Sequence, residues 1–181
     1  MINYQQILRL NPAGRPTGWV NFRDAARLYC NNQIVYECGE STLTIRGGFN
    51  RILNKQSTLD LNSIIATKSI GKFDFSSFIP SLNNDTLFKR DNYTCMYCGV
   101  KGGKNNLSRD HVMPLSYGGS DGWTNVVTAC RRCNNAKGGR TPEESKMLLL
   151  AVPFSPSHAE YILLKGRRIL ADQMEFLMSH I

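Results

Sequence analysis

Apolar residues along this chain come in short runs separated by polar turns, a pattern of brief strands and helices. Residues 7–10 form a first apolar stretch. Residues 11–16, with Asn11, Pro12, Gly14 and Pro16, form a turn-rich loop. Asn21, with Asp24 three residues on, has the form of a helix cap. Ala25, Ala26, Leu28 and Tyr29 supply that helix with a partly apolar face, and it is expected to end near Asn31 and Asn32. Residues 34–36 and 43–45 read as two strands, the second stopped by Gly47 and Gly48. Residues 63–67 read as a third. Residues 71–85, with Gly71, Pro80, Ser81, Asn83, Asn84 and Asp85, read as a connector pinned to a core by Phe73, Phe75 and Phe78.

Helical signals strengthen toward the C-terminus. Thr141, Pro142 and Glu144 combine a cap, a first-turn proline and a capping-box glutamate. They predict a helix running through residues 147–150 and stopping before Pro153. Ser157 with Glu160 repeats the box. Ile162, Leu163, Ile169, Leu170, Met174, Leu177 and Met178 are spaced as one apolar stripe on a long helix over 158–178. Such a stripe must bury against the N-terminal part of the chain or against a second copy, so a homodimer is a candidate assembly. The pattern divides the chain into a small α+β unit over 1–80, a second unit over 86–150 and a C-terminal helix over 155–181.

Composition narrows the class. At 41% hydrophobic and 20% charged, the chain supports a packed core. No apolar run approaches the length of about 18 residues that spans a membrane. The start, from Met1 to Gln6, lacks a basic segment followed by an apolar one, so no secretory signal is expected and the cytoplasm is the expected compartment. The formal net charge of +8 favours polyanionic partners. Most of that excess lies between residues 86 and 140. There Lys89, Arg90, Lys101, Lys104, Arg109, Arg131, Arg132, Lys137 and Arg140 face only Asp91, Asp110 and Asp121.

Cys95 and Cys98 form one Cys-x-x-Cys pair, and Cys130 and Cys133 another, with 31 residues between them. Four thiolates in tetrahedral array are the usual structural zinc site. The alternatives are a redox pair, buried free thiols or an iron–sulfur centre. A closed four-thiolate site leaves no position for water, so its zinc would hold the fold and not react. Cys30 and Cys38 lack such partners and are expected to pack as small hydrophobes.

Between the pairs, Asp110 offers oxygen to a hard cation and His111 an imidazole of the type that titrates near neutrality. The bland reading of a solitary histidine is a structural or surface group. Phosphodiester hydrolysis needs a polarised water, charge on a non-bridging oxygen and help for the leaving oxyanion. One histidine together with Mg²⁺ or Mn²⁺ on aspartate and asparagine oxygens would meet those needs.

At these residues the chain resembles a known family. Over 87–150 it is similar to the HNH endonucleases, the ββα-metal nucleases, in the subgroup with a four-cysteine zinc site. The resemblance rests on Phe88, Cys95, Cys98 and Gly99, then on Arg109, Asp110, His111 and Pro114. It continues through Gly118 and Gly119, then Trp123, Asn125, Cys130, Cys133, Asn134, Asn135, Lys137 and Gly138. It implies an α+β fold: a ββα-metal nuclease module with a structural zinc site, preceded by a small mixed N-terminal domain and followed by C-terminal helices. Asp110 and His111 would lie on the first strand of a hairpin, and Asn134 near the start of the next helix.

By position, the resemblance implies His111 as general base and Asn125 as a brace of the loop that presents it. Asp110 and Asn134 would ligate one catalytic Mg²⁺ or Mn²⁺, with Asn135 competing for the role of Asn134. Many relatives carry histidine where Asn134 stands, so this is an HNN pattern, and a neutral oxygen donor favours Mg²⁺ or Mn²⁺ over softer ions. The implied activity is metal-dependent cleavage of double-stranded DNA, restriction-like or homing-like. A non-catalytic, zinc-stabilised DNA-binding or repair accessory module is the alternative.

Arg131, Arg132, Lys137 and Arg140 are the expected phosphate contacts, with Arg109 beside the catalytic pair. Any one of them taken alone reads as a solvated charge. The loop from Asn11 to Arg15 and the run Lys165, Arg167, Arg168 are candidate extensions of that surface. Trp123 is expected to pack the hairpin against the zinc module in preference to stacking on a base. Tyr93, Tyr97 and Phe88 read as packing for a small core.

Overall fold

The computed structural model describes residues 5–68 and 78–181. Phe73 and Phe75, expected to pin the connector, lie outside the described residues. The chain packs as two units, Met1–Ser77 with Lys165–Ile181, and Phe78–Leu164.

In the first unit, β1 (Gln6–Leu10) pairs antiparallel with β2 (Pro16–Asn21), and the turn-rich loop joins them. Asn21 caps α1 (Phe22–Cys30) as expected, its side chain accepting from Asp24 N at 2.9 Å. Two long strands follow, β3 (Ile34–Asn50) and β4 (Lys55–Thr67), and the sheet order is β2-β1-β4-β3. Ile7, Ala25, Leu61 and Ile65 form its core. The C-terminal helix α5 (Ala171–Met178) is stitched to this sheet by Gln173, a fully buried amide. Its Nε2 donates to Gln6 O at 2.9 Å and to Ser63 O at 2.8 Å.

Two expectations are corrected here. Residues 34–36 and 43–45 are one continuous strand, because Gly47 and Gly48 do not stop it. They form a bulge, with the register shifting between Arg46 and Phe49. Cys30 is exposed at the end of α1 and does not pack as a small hydrophobe, whereas Cys38 is half-buried.

The second unit contains the order strand, strand, helix. The first element, α2 (Asn84–Arg90), is capped by Asn83, whose side chain accepts from Thr86 N at 2.9 Å. β5 (Leu107–His111) pairs antiparallel with β6 (Val126–Cys130), and α3 (Arg131–Lys137) follows at once. α4 (His158–Lys165) completes the unit. Leu87, Phe88, Leu107, Trp123, Val126 and Tyr161 make the core, with Phe78 packed against it. Trp123 is buried and its Nε1 donates to Pro80 O at 2.7 Å, so it packs as expected and is not available to stack on a base.

Arg90, which the sequence groups with the basic excess, is an interior strut. Its side chain is 2% exposed. It pairs with Asp91 at 2.8 Å and donates to the carbonyls of Trp123, Val126 and Phe154. Asp91 in turn accepts from Thr128 N at 2.7 Å. A buried ion pair is tolerable only when its remaining hydrogen-bonding capacity is also met, and here it is.

The C-terminal helices differ from their sequence signals. Thr141 and Glu144 do form the reciprocal capping bonds, at 2.9 and 3.2 Å, but the chain makes only a turn. Lys146 has a positive φ of 55°, and Met147 N returns to Pro142 O. The single helix expected over 158–178 is two helices, α4 and α5, in different units. Arg168 has φ 53°, and Arg167 N donates to Gln6 Oε1 instead of continuing a helix. Its apolar stripe is therefore two separate faces. Ile162 is buried in the second unit, and Leu177 in the first.

Candidate active site and metal centre

The four cysteines converge. The sulfurs of Cys95, Cys98, Cys130 and Cys133 all lie within 4.8 Å of one another. Sulfurs at the corners of a tetrahedron about 2.3 Å from a zinc ion stand about 3.8 Å apart. The Cys98 and Cys130 sulfurs are 3.9 Å apart. Both halves are built locally. Gly99, with φ 73°, lets its N–H reach Cys95 O and close the first knuckle. Cys130 is the cap of α3, its sulfur accepting from Cys133 N at 3.4 Å.

Burial pushes the Cys95 thiol up, but hydrogen bonds from the backbone of Cys130, Cys98 and Tyr97 outweigh it and bring it down to about 7. Burial pushes Cys133 up, and its neighbouring sulfurs add to that. A zinc ion would hold these thiols as thiolates. The cluster can hold a structural zinc.

Asp110 and His111 lie at the end of β5, and Asn134 lies one turn into α3. They share a cleft of about 290 Å³ with Arg109, Lys137 and Pro114. Asp110 is 4% exposed, and both its oxygens are engaged. Tyr97 OH donates to Oδ2 at 2.5 Å, and Lys137 Nζ donates to Oδ1 at 3.2 Å. Burial, then the hydrogen bond to Asp110, raise the Tyr97 phenol, so it stays a donor.

His111 Nε2 lies 3.0 Å from Asp121 Oδ1. Arg109 grips both oxygens of Asp121, at 2.8 and 2.9 Å, and also Asn84 Oδ1. The Arg109 hydrogen bond, partly offset by burial and helped by His111, holds the Asp121 carboxyl below the usual carboxylate range.

Asn125 sits under the loop after β5. Its Oδ1 accepts from Met113 N at 2.8 Å, and its Nδ2 donates to Met113 O and Ser120 O. That loop is tight enough to require Gly119, because a Cβ there would collide with Met113 O. Asn134 Nδ2 donates to Ser108 Oγ and Arg109 O, at 2.8 and 3.0 Å, clipping α3 to β5.

The structure thus brings Asp110, His111 and Asn134 together, with Asn125 below the adjoining loop. Of the basic residues, Arg109 and Lys137 line the same cleft. Lys137, expected as a phosphate contact, is 1% exposed. It is corrected to an interior group, its ammonium held by Asp110 and by His111 O at 2.7 Å. Arg140 is exposed but caps the end of α3, donating to Lys137 O and Ala136 O. Arg131 donates to Asn105 O, and Arg132 is exposed. Tyr97 and Asp121 are site neighbours that the sequence alone presents as packing and background charge. The available signals were a tyrosine between two zinc ligands and one of only three carboxylates in a basic stretch.

The comparisons with known proteins bear on the same region. The model of a family described as HNH endonuclease matches residues 95–150. No curated protein matches the chain. Among solved structures, Streptococcus thermophilus Cas9 in complex with the GGAA PAM is similar at 22% identity and a TM-score of 0.29. That match covers 52% of this chain and 10% of the other, so the chain spans about a tenth of that protein. Among the described residues no helix is long and apolar enough to cross a membrane. The ββα order and the four-cysteine cluster both fall within residues 95–150, the stretch that matches the HNH endonuclease family model.

Proposed function

We propose that the chain is a metal-dependent DNA endonuclease that hydrolyses phosphodiester bonds with His111 as general base. The observation that carries this reading is the cleft wall formed by Asp110, His111 and Asn134, with a carboxylate already on the histidine ring. When Nε2–H is donated to Asp121, the other ring nitrogen keeps its lone pair and takes a proton from water. Asp121 then stabilises the imidazolium, and Arg109 holds Asp121 in place. Asn125 braces the loop that follows the histidine.

Asp110 and Asn134 are the residues that would hold Mg²⁺ or Mn²⁺, and their donors fit. Both present hard oxygens. Each Asp110 oxygen accepts one hydrogen bond and retains a second lone pair, while Asn134 Oδ1 has no hydrogen bond among the described residues. The cation, when bound, supplies positive charge to the non-bridging and leaving oxygens. Tyr97 and Lys137 fix the orientation of the Asp110 carboxylate.

Arg131 and Arg132, exposed at the start of α3, and Arg140, exposed just beyond its end, would hold the duplex by its phosphates. Four reduced thiols on zinc suit the cytoplasm. A homodimer would pair two such sites for double-strand cleavage of the restriction-like or homing-like kind.

The test is supercoiled plasmid incubated with Mg²⁺, with Mn²⁺ and without divalent metal, beside His111→Ala. Metal-dependent nicked or linear product is expected. In H111A its rate should fall about 10²- to 10⁴-fold, with the zinc content and melting curve unchanged. Cleavage by H111A at the wild-type rate would overturn the assignment. One observation favours a second reading, a non-catalytic zinc-stabilised DNA-binding module: Tyr97 and Lys137 already occupy both oxygens of Asp110. DNA binding with no cleavage under any of these ions would support it.

A further inference from the structure

The β3–β4 hairpin runs well past the sheet in which it starts. β4 pairs with β1 only at Ile64, Ile65 and Ala66, whereas β3 and β4 stay paired out to Asn50 and Lys55. Outward from the Leu43–Leu61 pair the ribbon is two strands wide and about 20 Å long, at about 3.3 Å per residue. Every residue from 46 to 58 is exposed.

The end of this ribbon has a defined shape. Asn50 Oδ1 accepts from Ile52 N and Leu53 N, both at 3.0 Å, which holds the turn. Gln56 Nε2 donates to Gly47 O at 3.2 Å and Ser57 Oγ to Gly48 O at 3.0 Å, which pins the bulge. On this end sit three large apolar side chains facing solvent: Phe49 at 58% exposure, Ile52 at 94% and Leu53 at 71%. Arg46, Arg51 and Lys55 flank them. No Asp or Glu occurs between residues 41 and 59. Among the described residues none of these three cations forms an ion pair.

Exposed apolar groups of this size mark an interaction surface. Their company of cations without a single carboxylate selects a polyanion. The grooves of duplex DNA offer both phosphate rails and apolar sugar and base surface. A two-stranded ribbon fits the major groove, and apolar tips can also wedge between base steps from the minor groove. We propose that the β3–β4 hairpin is a DNA-binding arm, separate from the cleft. Arg46, Arg51 and Lys55 contact phosphates, and Ile52, Leu53 and Phe49 enter a groove. The proposal rests on the reading of this chain as a protein that acts on DNA, and it adds an element that the HNH motifs do not contain.

The test uses the full zinc-loaded chain and a fluorescein-labelled 30-bp duplex. Anisotropy is followed over a salt series without Mg²⁺ or Mn²⁺. The triple variant Arg46→Ala, Arg51→Ala, Lys55→Ala should bind at least about ten-fold more weakly. Its log–log salt slope should fall by about 2.7, at about 0.9 for each phosphate no longer neutralised. The double variant Ile52→Ser, Leu53→Ser should also lose affinity but keep the wild-type slope. All substituted side chains are exposed, so melting curves and zinc content should match wild type.

Wild-type binding by both variants would overturn the arm while leaving the nuclease reading to the plasmid assay. A chain that binds DNA through the arm yet cuts nothing would support the arm and sink the nuclease. A concentration-dependent dimer in light scattering, abolished by I52S/L53S with duplex binding intact, would overturn the arm in favour of self-association. Arm-dependent binding to phosphatidylserine vesicles with none to DNA would overturn it in favour of a membrane.

Discussion

The cleft and the tip of the hairpin both carry cations, and they use them in opposite ways. In the cleft, Lys137 is enclosed by Asp110 and a carbonyl, and Arg109 is clamped to Asp121 and Asn84. At the tip, Arg46, Arg51 and Lys55 have no acidic partner among the described residues. A cation already committed to an internal carboxylate can position a reacting group, but it adds little to phosphate affinity. A free cation on an exposed ribbon does the reverse. The difference teaches that net charge along a sequence says little about which charges meet the substrate. The stretch over 86–140 carries the charge excess, yet Arg90 and Lys137 within it are interior.

The largest break in that comparison should come from the metal centre. Cys95→Ser combined with chelation should remove the cooperative unfolding of the second unit, because structural zinc contributes about 10 kcal/mol or more in small metal-dependent folds. Circular dichroism melts would show the loss. The exposed arm should keep its amide resonances, since its bonds lie in the first unit. Retention of a wild-type melt without zinc would contradict the structural role.

A smaller loss is expected from Arg90→Met, which leaves Asp91 buried without its cation. Breaking one side of a buried pair costs about 3–5 kcal/mol. Urea unfolding should read this, and a change below about 1 kcal/mol would mean that Asp91 finds another partner. By contrast, Arg51→Ala at the arm should leave stability within about 0.5 kcal/mol. The pair of measurements separates interior cations from surface ones directly.

The smallest effect concerns Asp121. Arg109 holds its carboxyl below the ordinary value, so the interaction favours the native state above the unfolded value of about 3.9. That contribution is lost as pH falls through the lowered native value. Asp121 is half-exposed, so the change in stability should be slight. Carboxyl ¹³C NMR should place its midpoint below the ordinary aspartate value of about 3.9, and Arg109→Ala should move it back up. An unmoved midpoint would mean that the Arg109 clamp is not formed in solution.

Much of the second unit was legible in the sequence. The cysteine pairs, the Asp110–His111 step and Asn125 are carried by short motifs whose geometry is local. The Asn21 and Ser157 caps were also legible, since a cap needs only a neighbour three residues on. The helix signal at Thr141 misled for the complementary reason. Its cap formed, but a cap does not supply the tertiary burial that sustains a helix. The stripe over 158–178 misled because its period was right while its partners were not. Gly166 lies so close to Ile169 and Trp19 that a Cβ there would stand 2.6 and 2.9 Å from them, and α4 ends just before it.

The sequence by itself determined what kinds of ligand the second unit holds and how they are grouped. A Cys-x-x-Cys knuckle and a helix-capping cysteine are set by a few consecutive residues. It also placed Phe49, Arg51, Ile52 and Lys55 within seven residues of one another, apolar beside basic. Only the tertiary structure decided that Lys137 belongs to Asp110, 27 residues away, and Arg90 to Val126 O, 36 residues away. It alone decided that Tyr97 reaches the site carboxylate and that the β3–β4 ribbon outruns its sheet. Those outcomes depend on which distant segments pack together, and burial turns a formal charge into an internal strut only after that packing has been made.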